Sequence, residues 1–306
     1  MIQIVNKRYL YFAISLLVIV PGLVILLAGG LPLSIDFTGG SLLEVQFEAG
    51  KTPQPGDLVT LYEEAGIADA QVQTTDAGTL NIRSSFLDNE TRDLILDEMA
   101  ALSNGEVTVI RFDSVGPSIG QQVTSRAALA VGIAALAVVI YITIAFRKVA
   151  NAFRYGVCAI IAMVHDVAVV FAVAGIGSLL LGWQMDALFL TALLTVIGFS
   201  VQDKIVVFDR IRENANILRR LDFETLVNHS IVQTLQRSIN TQLMTVEFLL
   251  LALALFGGVT LQEFAAILLV GLFSGTYSSI FIAAPILVIW ENREWTTWFK
   301  RKTAAA

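Results

Sequence analysis

The sequence predicts an α-helical polytopic membrane protein with a water-facing α+β domain between its first two membrane helices. Three observations support this fold class. Of the 306 residues, 56% are hydrophobic and 15% are charged, whereas soluble domains carry about 25% charged residues. Six stretches are apolar over about the 20 residues that a helix needs to cross a bilayer. Residues 31–120 hold 15 acidic and 4 basic side chains, whereas the remainder holds 11 acidic and 16 basic.

The six predicted membrane spans cover, approximately, residues 9–29, 121–146, 155–181, 186–208, 238–257 and 264–290. Lys and Arg cluster before the first span, between the second and third, after the fourth and after the sixth. Six spans place all four clusters on one side. Because cytoplasmic segments carry the excess of Lys and Arg, both termini are predicted to be cytoplasmic. The first apolar run is longer than the 7–15 residues of a signal-peptide core, so we predict a retained anchor rather than a cleaved signal peptide.

The domain boundaries follow from these spans. We predict a cytoplasmic N-terminus with the first span at 1–30, a periplasmic domain at 31–118, spans two to six at 119–290, and a cytoplasmic tail at 291–306. The single cysteine, Cys158, excludes an internal disulfide framework. A basic nucleic-acid patch is absent from the sequence, so no nucleic-acid partner is predicted.

The acidic insert has the pattern of a small α/β domain. In order, its segments "GGSLLEVQFEA", "DLVTLYEEAGI", "AQVQTTDAGTLNIRSS", "DNETRDLILDEMAAL" and "GEVTVIRFDSVGP" predict a strand, a helix, a hairpin around Asp76-Ala77-Gly78, a helix with Asp88 as N-cap, and a strand. The order β-α-β-β-α-β is that of a ferredoxin-like split unit. The insert contains no nucleophile, metal cluster or phosphate loop, so we predict a binding or mechanical role there, with no cofactor or metal.

Asp203 and Lys204 interrupt the apolar fourth span, in "TVIGFSVQDKIVVFDRIREN". If Arg210 marks the cytoplasmic edge, Asp203 lies about 10 Å inside it, at 1.5 Å per residue. Intramembrane acids are functional candidates, so a proton-carrying Asp203 is one interpretation and a fixed interhelical ion pair is the other. Lys204 lies about 100° around the helix from Asp203. It either snorkels to the interface or meets an acid on another helix or a partner chain.

Three further ionisable residues complete the candidate proton relay. Arg237 enters the fifth span near the depth of Asp203, as a counter-charge or as an ordinary interfacial arginine. His165 and Asp166 lie near the middle of the third span. They either continue a proton path, since histidine titrates near neutral pH, or form a helix–helix hydrogen bond.

Small residues indicate close helix packing on the fourth and sixth spans. The fourth span has a small, polar face that suits helix contact or a water-filled path, with Thr191, Thr195 and Gly198 followed by Gln202. The sixth has Gly271, Gly275 and Ser279 at four-residue spacing, which lets backbones approach closely. Gly39 and Gly40 allow unusual backbone angles where the chain leaves the membrane. They form a candidate hinge.

Several motifs together resemble the SecF branch of the SecD/SecF family, subunits of the bacterial protein-export translocase. They are "DFTGG" (36–40), "HD" (165–166), "VIGFSVQDKIVVFDRIREN" (196–214) and "TLQRSI" (234–239). The family pattern usually has Asn before the intramembrane aspartate and Thr or Ser after it, whereas Gln202 and Lys204 stand here.

The resemblance implies an RND-type membrane half that works with SecD and the SecYEG channel, in the bacterial inner membrane. It implies use of the proton motive force to assist late translocation of secreted chains, with protons as the coupling ion. It also pairs Asp203 with Arg237, and names YajC, YidC, the unfolded exported polypeptide and membrane lipids as partners. The alternatives are half of a proton-driven RND exporter of lipids or small molecules, a passive channel scaffold, and an intramembrane aspartyl protease using Asp166 and Asp203. We expect no enzymatic activity.

Overall fold

A computed structural model describes residues 2–48, 50–74, 78–147, 151–242 and 248–298. The chain divides into two compact units, Leu33–Leu129 and a second formed by Met1–Pro32 with Ala130–Ala306. The strands are β1 Gly40–Phe47, β2 Gln71–Thr74, β3 Leu80–Ser84 and β4 Val107–Val115. The helices are α1 Arg8–Gly29, α2 Ile35–Thr38, α3 Pro55–Glu64, α4 Asn89–Ser103, α5 Pro117–Phe146, α6 Ala152–Leu181, α7 Ala187–Ile217, α8 Phe223–Gln242, α9 Phe248–Phe256, α10 Val259–Ser278, α11 Ala284–Glu291 and α12 Trp295–Trp298, with a π-helical turn Ser279–Ala283 joining α10 to α11.

The first unit is a four-stranded antiparallel sheet, in the order β2-β3-β1-β4, with helices α3 and α4. The predicted element order β-α-β-β-α-β is confirmed, and the turn predicted at residues 76 and 77 lies outside the described residues. Alternate residues of β1 and β3 share one buried face with the inner faces of both helices, because side chains of a strand point to opposite sides in turn. The core consists of Leu43, Val45, Phe47, Leu58, Leu61, Tyr62, Ile67, Ala70, Leu80, Ile82, Leu87, Ile95 and Met99.

Burial and helix capping shift the pKa values of two titratable groups in this unit. Burial raises the pKa of the Tyr62 hydroxyl, because the ionised phenolate would lose its hydration. Asp88 caps α4 as predicted: its carboxylate accepts the backbone N–H of Thr91 at 2.8 Å. That hydrogen bond favours the charged form, so it lowers the pKa of Asp88.

The second unit is a bundle of long apolar helices. Within the described residues, five helices are long and apolar enough to cross a membrane: Val5–Gly29, Pro117–Phe146, Ala152–Leu181, Ala187–Ile217 and Leu261–Glu291. The sixth predicted span, 238–257, falls on the end of α8, on α9, and on residues 243–247, which lie outside the described part of the chain. The count of six spans therefore stays a prediction.

The helices of the bundle pack closely where small residues meet. α1 lies along α6, and a Cβ at Gly22 would be 2.4 Å from Ala172 Cα, so the two backbones are in direct contact. α10 packs between α6 and α7. Gly271 and Gly275 of α10 face α7 there, at Val196 and Ser200.

The N-terminal segment is attached to α8. Asn228 is buried, and its side-chain oxygen accepts the backbone N–H groups of Ile4 at 2.8 Å and Val5 at 3.3 Å. Arg8 pairs with Glu224 at 3.0 Å and with Glu294 at 2.7 Å. These contacts hold the chain start, α8 and the segment after α11 together in one unit.

α8 carries its apolar face inward. Leu226, Val227 and Ile231 are buried within this unit. The helix follows Asp222, whose carboxylate accepts the backbone N–H of Thr225 at 2.9 Å. This hydrogen bond lowers the pKa of Asp222.

Candidate functional site: a buried polar cluster among the membrane helices

Asp166 on α6 is the centre of a polar cluster inside the apolar bundle. Its side chain is fully buried. Oδ2 accepts hydrogen bonds from Ser200 Oγ at 2.6 Å and Ser278 Oγ at 2.7 Å, and it contacts the Lys204 ammonium at 2.7 Å. Oδ1 accepts from Ser274 Oγ at 2.7 Å. Residues from α7 and α10 thus converge on one carboxylate of α6.

Lys204 on α7 is fully buried and points toward α6. Its Nζ lies 2.7 Å from Asp166 Oδ2, 2.8 Å from the Ser200 carbonyl oxygen and 2.7 Å from Ser200 Oγ. An ammonium group has three N–H donors and no acceptor, so the three contacts match its hydrogen-bonding capacity. Of the arrangements that the sequence leaves open for Lys204, the structure has the one in which it meets an acid on another helix.

His165 extends the cluster toward α1. Its Nδ1 lies 3.1 Å from Asp166 Oδ1, and its Nε2 lies 2.9 Å from Ser15 Oγ. The ring stacks on Tyr277 of α10, with 6.1 Å between ring centres. Although neighbouring helical residues point in different directions, the His165 ring folds back onto the carboxylate beside it.

Asp203 on α7 has far fewer hydrogen-bond donors around its carboxylate than Asp166. Its side chain is also buried, at 6% exposed. Oδ1 accepts a single hydrogen bond, from Ser238 Oγ of α8 at 3.3 Å, and Oδ2 has no hydrogen-bond partner within the described part of the chain. The hydroxyl of Thr276 on α10 also faces this carboxylate.

The predicted pairing of Asp203 with Arg237 is not formed as a salt bridge among the described residues. Arg237 lies on α8 with an exposed side chain, while Ser238, the next residue, reaches Asp203. Asp166, Lys204 and His165 are in direct contact, whereas Asp203 lies beside this group and Arg237 is turned outward. The part of each residue in a proton relay stays a prediction.

The two small-residue faces differ. A Cβ at Gly271 would lie 2.2 Å from Val196 Cγ2, and one at Gly275 would lie 3.4 Å from Ser200 Cα. Ser279 is buried, and its hydroxyl donates a hydrogen bond to the carbonyl oxygen of Thr276, three residues earlier. Conversely, a Cβ at Gly198 would have no neighbour within 4 Å.

The Thr191–Gly198 face points away from the rest of the unit. Thr191 is exposed and Thr195 is partly exposed, and the hydroxyl of each bonds to the carbonyl four residues earlier. Among the described residues, this face is therefore without a packing partner at Gly198.

The sequence reasoning missed the serines that surround Asp166. Ser274 and Ser278 lie four residues apart on α10, and Ser200 lies four residues before Lys204 on α7. Residues at this spacing share a helix face. The predicted packing positions Gly271, Gly275 and Ser279 are one residue out of step with the two serines. A step of one residue turns a helix by about 100°, so the packing prediction points to a different face from the one that carries the hydroxyls.

Gly39 and Gly40, in the sheet unit, both have positive φ angles, 74° and 121°. A Cβ at Gly40 would lie 2.6 Å from the Ser84 carbonyl oxygen, and one at Gly39 would lie 2.9 Å from Pro117 Cα. Both positions therefore need glycine, for backbone conformation and for space. Their role as a hinge stays a prediction.

Two family models match the chain. The SecD/SecF GG motif matches residues 24–51, which include the two glycines. The model of the protein export membrane protein SecD/SecF, C-terminal, matches residues 95–293, which include Asp166, Asp203 and Lys204. The chain belongs to the SecD/SecF family.

Several SecD/SecF relatives resemble the chain over nearly its full length. The protein translocase subunit SecF of Anaerolinea thermophila is 69% identical over 98% of both chains. That of Thermobaculum terrenum is 46% identical over 98% of both. The protein translocase subunit SecDF of Thermus thermophilus is 37% identical over 88% of this chain and 36% of its own length.

Solved structures of SecDF share the fold. A crystal structure of the translocon-associated membrane protein SecDF from Thermus thermophilus superposes with a TM-score of 0.79 and 34% identity, covering 95% of this chain and 39% of that one. A second crystal structure, of SecDF in a super-membrane-facing form, superposes with a TM-score of 0.67 and 34% identity. This match covers 97% of this chain and 39% of that one. The chain thus corresponds to about two-fifths of a SecDF polypeptide.

Proposed function

We propose that this chain is a SecF subunit of the bacterial protein translocase. The observation that carries the proposal is 69% identity, over 98% of both chains, to a protein translocase subunit SecF. In Thermus thermophilus the related sequence is part of one SecDF polypeptide. SecD is therefore the expected partner. We further propose that the pair assists late export of unfolded polypeptides through SecYEG, with YajC and YidC as accessory partners.

We propose that the chain crosses the bacterial inner membrane six times, with both termini cytoplasmic and the sheet unit outside as a ferredoxin-like domain. The positions of Lys and Arg support this orientation. The acidic composition of the sheet unit supports its location outside the cell membrane. Its antiparallel strand order β2-β3-β1-β4 supports a ferredoxin-like fold. Single cysteines placed in the sheet unit, in Cys158→Ala chains, should react with an impermeant thiol reagent in whole cells after outer-membrane permeabilisation. Cysteines after Arg293 should not react.

We propose that the proton motive force acts through Asp203. A buried carboxylate with one long hydrogen bond is held weakly in its ionised form, because buried charge is costly without donors or a cation. Protonation removes the charge and weakens the Ser238 contact that joins α7 to α8. The helices then adopt a second packing, and proton release to the cytoplasm restores the first. The cation proposed to attract the ionised form is Arg237, next to Ser238 on α8.

The test is gradient-dependent export by Asp203→Asn. Proteoliposomes holding the chain with SecD and SecYEG are compared with and without an imposed proton gradient. Asn keeps the size of the side chain and removes the exchangeable proton, so the gradient should no longer stimulate export. The complex with SecD should still assemble.

The matched control is Asp222→Asn. Asp222 is an exposed carboxylate that caps α8, and Asn caps a helix about as well as Asp. This variant should keep full gradient stimulation. Full stimulation in Asp203→Asn would remove Asp203 from the mechanism, and failure of SecD to co-purify with the unaltered chain would overturn the subunit assignment.

A further inference from the structure

The described membrane helices contain two buried carboxylates, Asp166 and Asp203. A proton relay that includes both requires each to gain and lose a proton. The hydrogen bonds around Asp166 do not suit such exchange. Two serine hydroxyls and the Lys204 ammonium surround Oδ2, and a further serine and His165 contact Oδ1. An ionised carboxylate offers about four acceptor sites, so this arrangement fully satisfies the charged form.

The hydrogen-bonding capacity of the Lys204 ammonium is also fully used. Each of its three N–H donors has an acceptor, within 2.8 Å, among Asp166 Oδ2, Ser200 O and Ser200 Oγ. Breaking a buried pair leaves an uncompensated charge, which is strongly unfavourable. Protonation of Asp166 would leave the Lys204 ammonium as such an uncompensated buried charge. The pair is therefore stable as two opposite charges with no net charge.

We propose that Lys204 is a built-in counter-ion that keeps Asp166 ionised and outside the proton relay. Asp203 then exchanges the proton alone among the buried carboxylates of the described helices. This inference rests on the proposed proton coupling, and it gives the two buried carboxylates different roles in that coupling. Asp166 and Lys204 are positioning residues that hold α6, α7 and α10 around a fixed neutral pair. Lys204 stands where the family pattern usually has Thr or Ser.

The groups that face the two carboxylates are on the surrounding helices. Asp166 faces Lys204 and Ser200 on α7, Ser274 and Ser278 on α10, and its neighbour His165, which reaches Ser15 on α1 and Tyr277 on α10. Asp203 faces Ser238 on α8 and Thr276 on α10, and experiences the charges of Lys204 and Arg237. Lys204 is thus the one lysine or arginine in contact with Asp166 in the described part of the chain, and it touches no other carboxylate there.

The experiment is an infrared titration of the full-length chain in lipid nanodiscs, between pH 5 and pH 9. A protonated carboxylic acid in an apolar site has a carbonyl stretch separate from that of exposed carboxyl groups. Glu263 on α10 is a further partly buried carboxylate, near Asp186, so it is replaced by Gln in every chain compared. We then expect one such titrating band in this Glu263→Gln chain, and its loss when Asp203→Asn is added. The double variant Asp166→Asn/Lys204→Met replaces the pair by neutral side chains of similar size, so it should retain the band.

The Lys204→Met variant gives the decisive comparison in the infrared titration. It removes the cation and leaves Asp166 with serine donors, so a second titrating band should appear and the band area should about double. Lys204→Thr, the residue type usual in the family, should give the same gain and serves as the second variant if Met disturbs the fold. Size-exclusion profiles and thermal unfolding curves verify that each variant is folded.

Two outcomes overturn the inference: loss of the single band in Asp166→Asn/Lys204→Met, or no second band in either folded Lys204 variant. Its failure is distinguishable from failure of the proposed function. Proton binding is measured without export, whereas the proteoliposome assay measures export alone. Gradient-driven export with no second band would reject the Lys204 assignment only. Proton exchange at Asp203 without gradient-driven export would reject the coupling only.

Discussion

Asp166 and Asp203 are two buried carboxylates in one membrane bundle, and their surroundings are opposite. Asp166 has three serine hydroxyls, a histidine nitrogen and an ammonium within 3.1 Å. Asp203 accepts one hydrogen bond, at 3.3 Å, and its other oxygen has no hydrogen-bond partner among the described residues, although the Thr276 hydroxyl faces the carboxylate. Burial alone therefore does not define the role of an intramembrane acid. The number and type of its donors separate a fixed charge from one that can be lost and regained.

The largest expected difference between the two sites is in stability. Asp166→Leu leaves the fully buried Lys204 without its counter-charge, and breaking a buried pair in this way costs roughly 3–5 kcal/mol. Asp203→Leu removes a poorly satisfied carboxylate and should cost far less. The free energy of unfolding in mixed SDS micelles measures both variants.

The control for this comparison is Asp166→Leu/Lys204→Met, which removes both charges. Replacing a whole buried pair by apolar residues is often neutral or stabilising, so the double variant should recover most of the loss. Equal costs for Asp166→Leu and Asp203→Leu would contradict the contrast between the sites.

The second prediction concerns the packing that brings Ser274 and Ser278 to Asp166. Gly271 lies one turn before Ser274 on α10, and a Cβ there would lie 2.2 Å from Val196 Cγ2. Gly271→Ala must push α10 away from α7, and overpacking of this kind costs roughly 1–3 kcal/mol. Gly198→Ala is the matched control, since its Cβ meets nothing within 4 Å. Alanine there should be neutral or stabilising, by up to about 1 kcal/mol, in the same unfolding assay.

These two glycines also show what the sequence could and could not predict. Spacing predicts one face for Thr191, Thr195 and Gly198, and in the structure Thr191 and Gly198 are exposed and Thr195 is partly exposed. Spacing does not say whether a face meets another helix of the same chain, a partner or lipid. Gly271 packs against α7, whereas Gly198 faces outward, because helix periodicity gives direction around one axis and no information on which neighbour lies there.

The sheet unit was more predictable than the polar cluster. Its strands and helices have alternating and helical patterns of their own, and the Asp88 cap needs only a contact three residues away. The Asp166–Lys204 pair joins residues 38 positions apart on two helices. Because both lie in continuously apolar runs, their identities were conspicuous in the sequence, but their pairing depends on the relative rotation of α6 and α7.

A third prediction separates the hydroxyl donors of the two sites. Ser278→Ala removes a 2.7 Å hydrogen bond to a charged oxygen, and hydrogen bonds to charged groups contribute about 1.5–3 kcal/mol. Ser238→Ala removes the 3.3 Å hydrogen bond to Asp203 and should cost less. The SDS unfolding assay ranks the two variants, and a larger loss for Ser238→Ala would mean that Asp203 is held more firmly than its distances indicate.

The smallest expected effect uses Asp88 as a water-exposed reference for both buried acids. The Thr91 N–H lowers the pKa of Asp88 below its ordinary value of 3.8. A carboxylate whose pKa is depressed by folding stabilises the fold above its unfolded-state pKa. That contribution decreases as the pH falls through the folded-state pKa. Protection of the α4 N-terminal amides from hydrogen exchange, corrected for intrinsic rates, should therefore decrease below about pH 4. Asp88→Asn keeps a cap without a titrating group, so its protection should stay constant over that range. An unchanged pH dependence in Asp88→Asn would place the titration at another acid of the sheet unit.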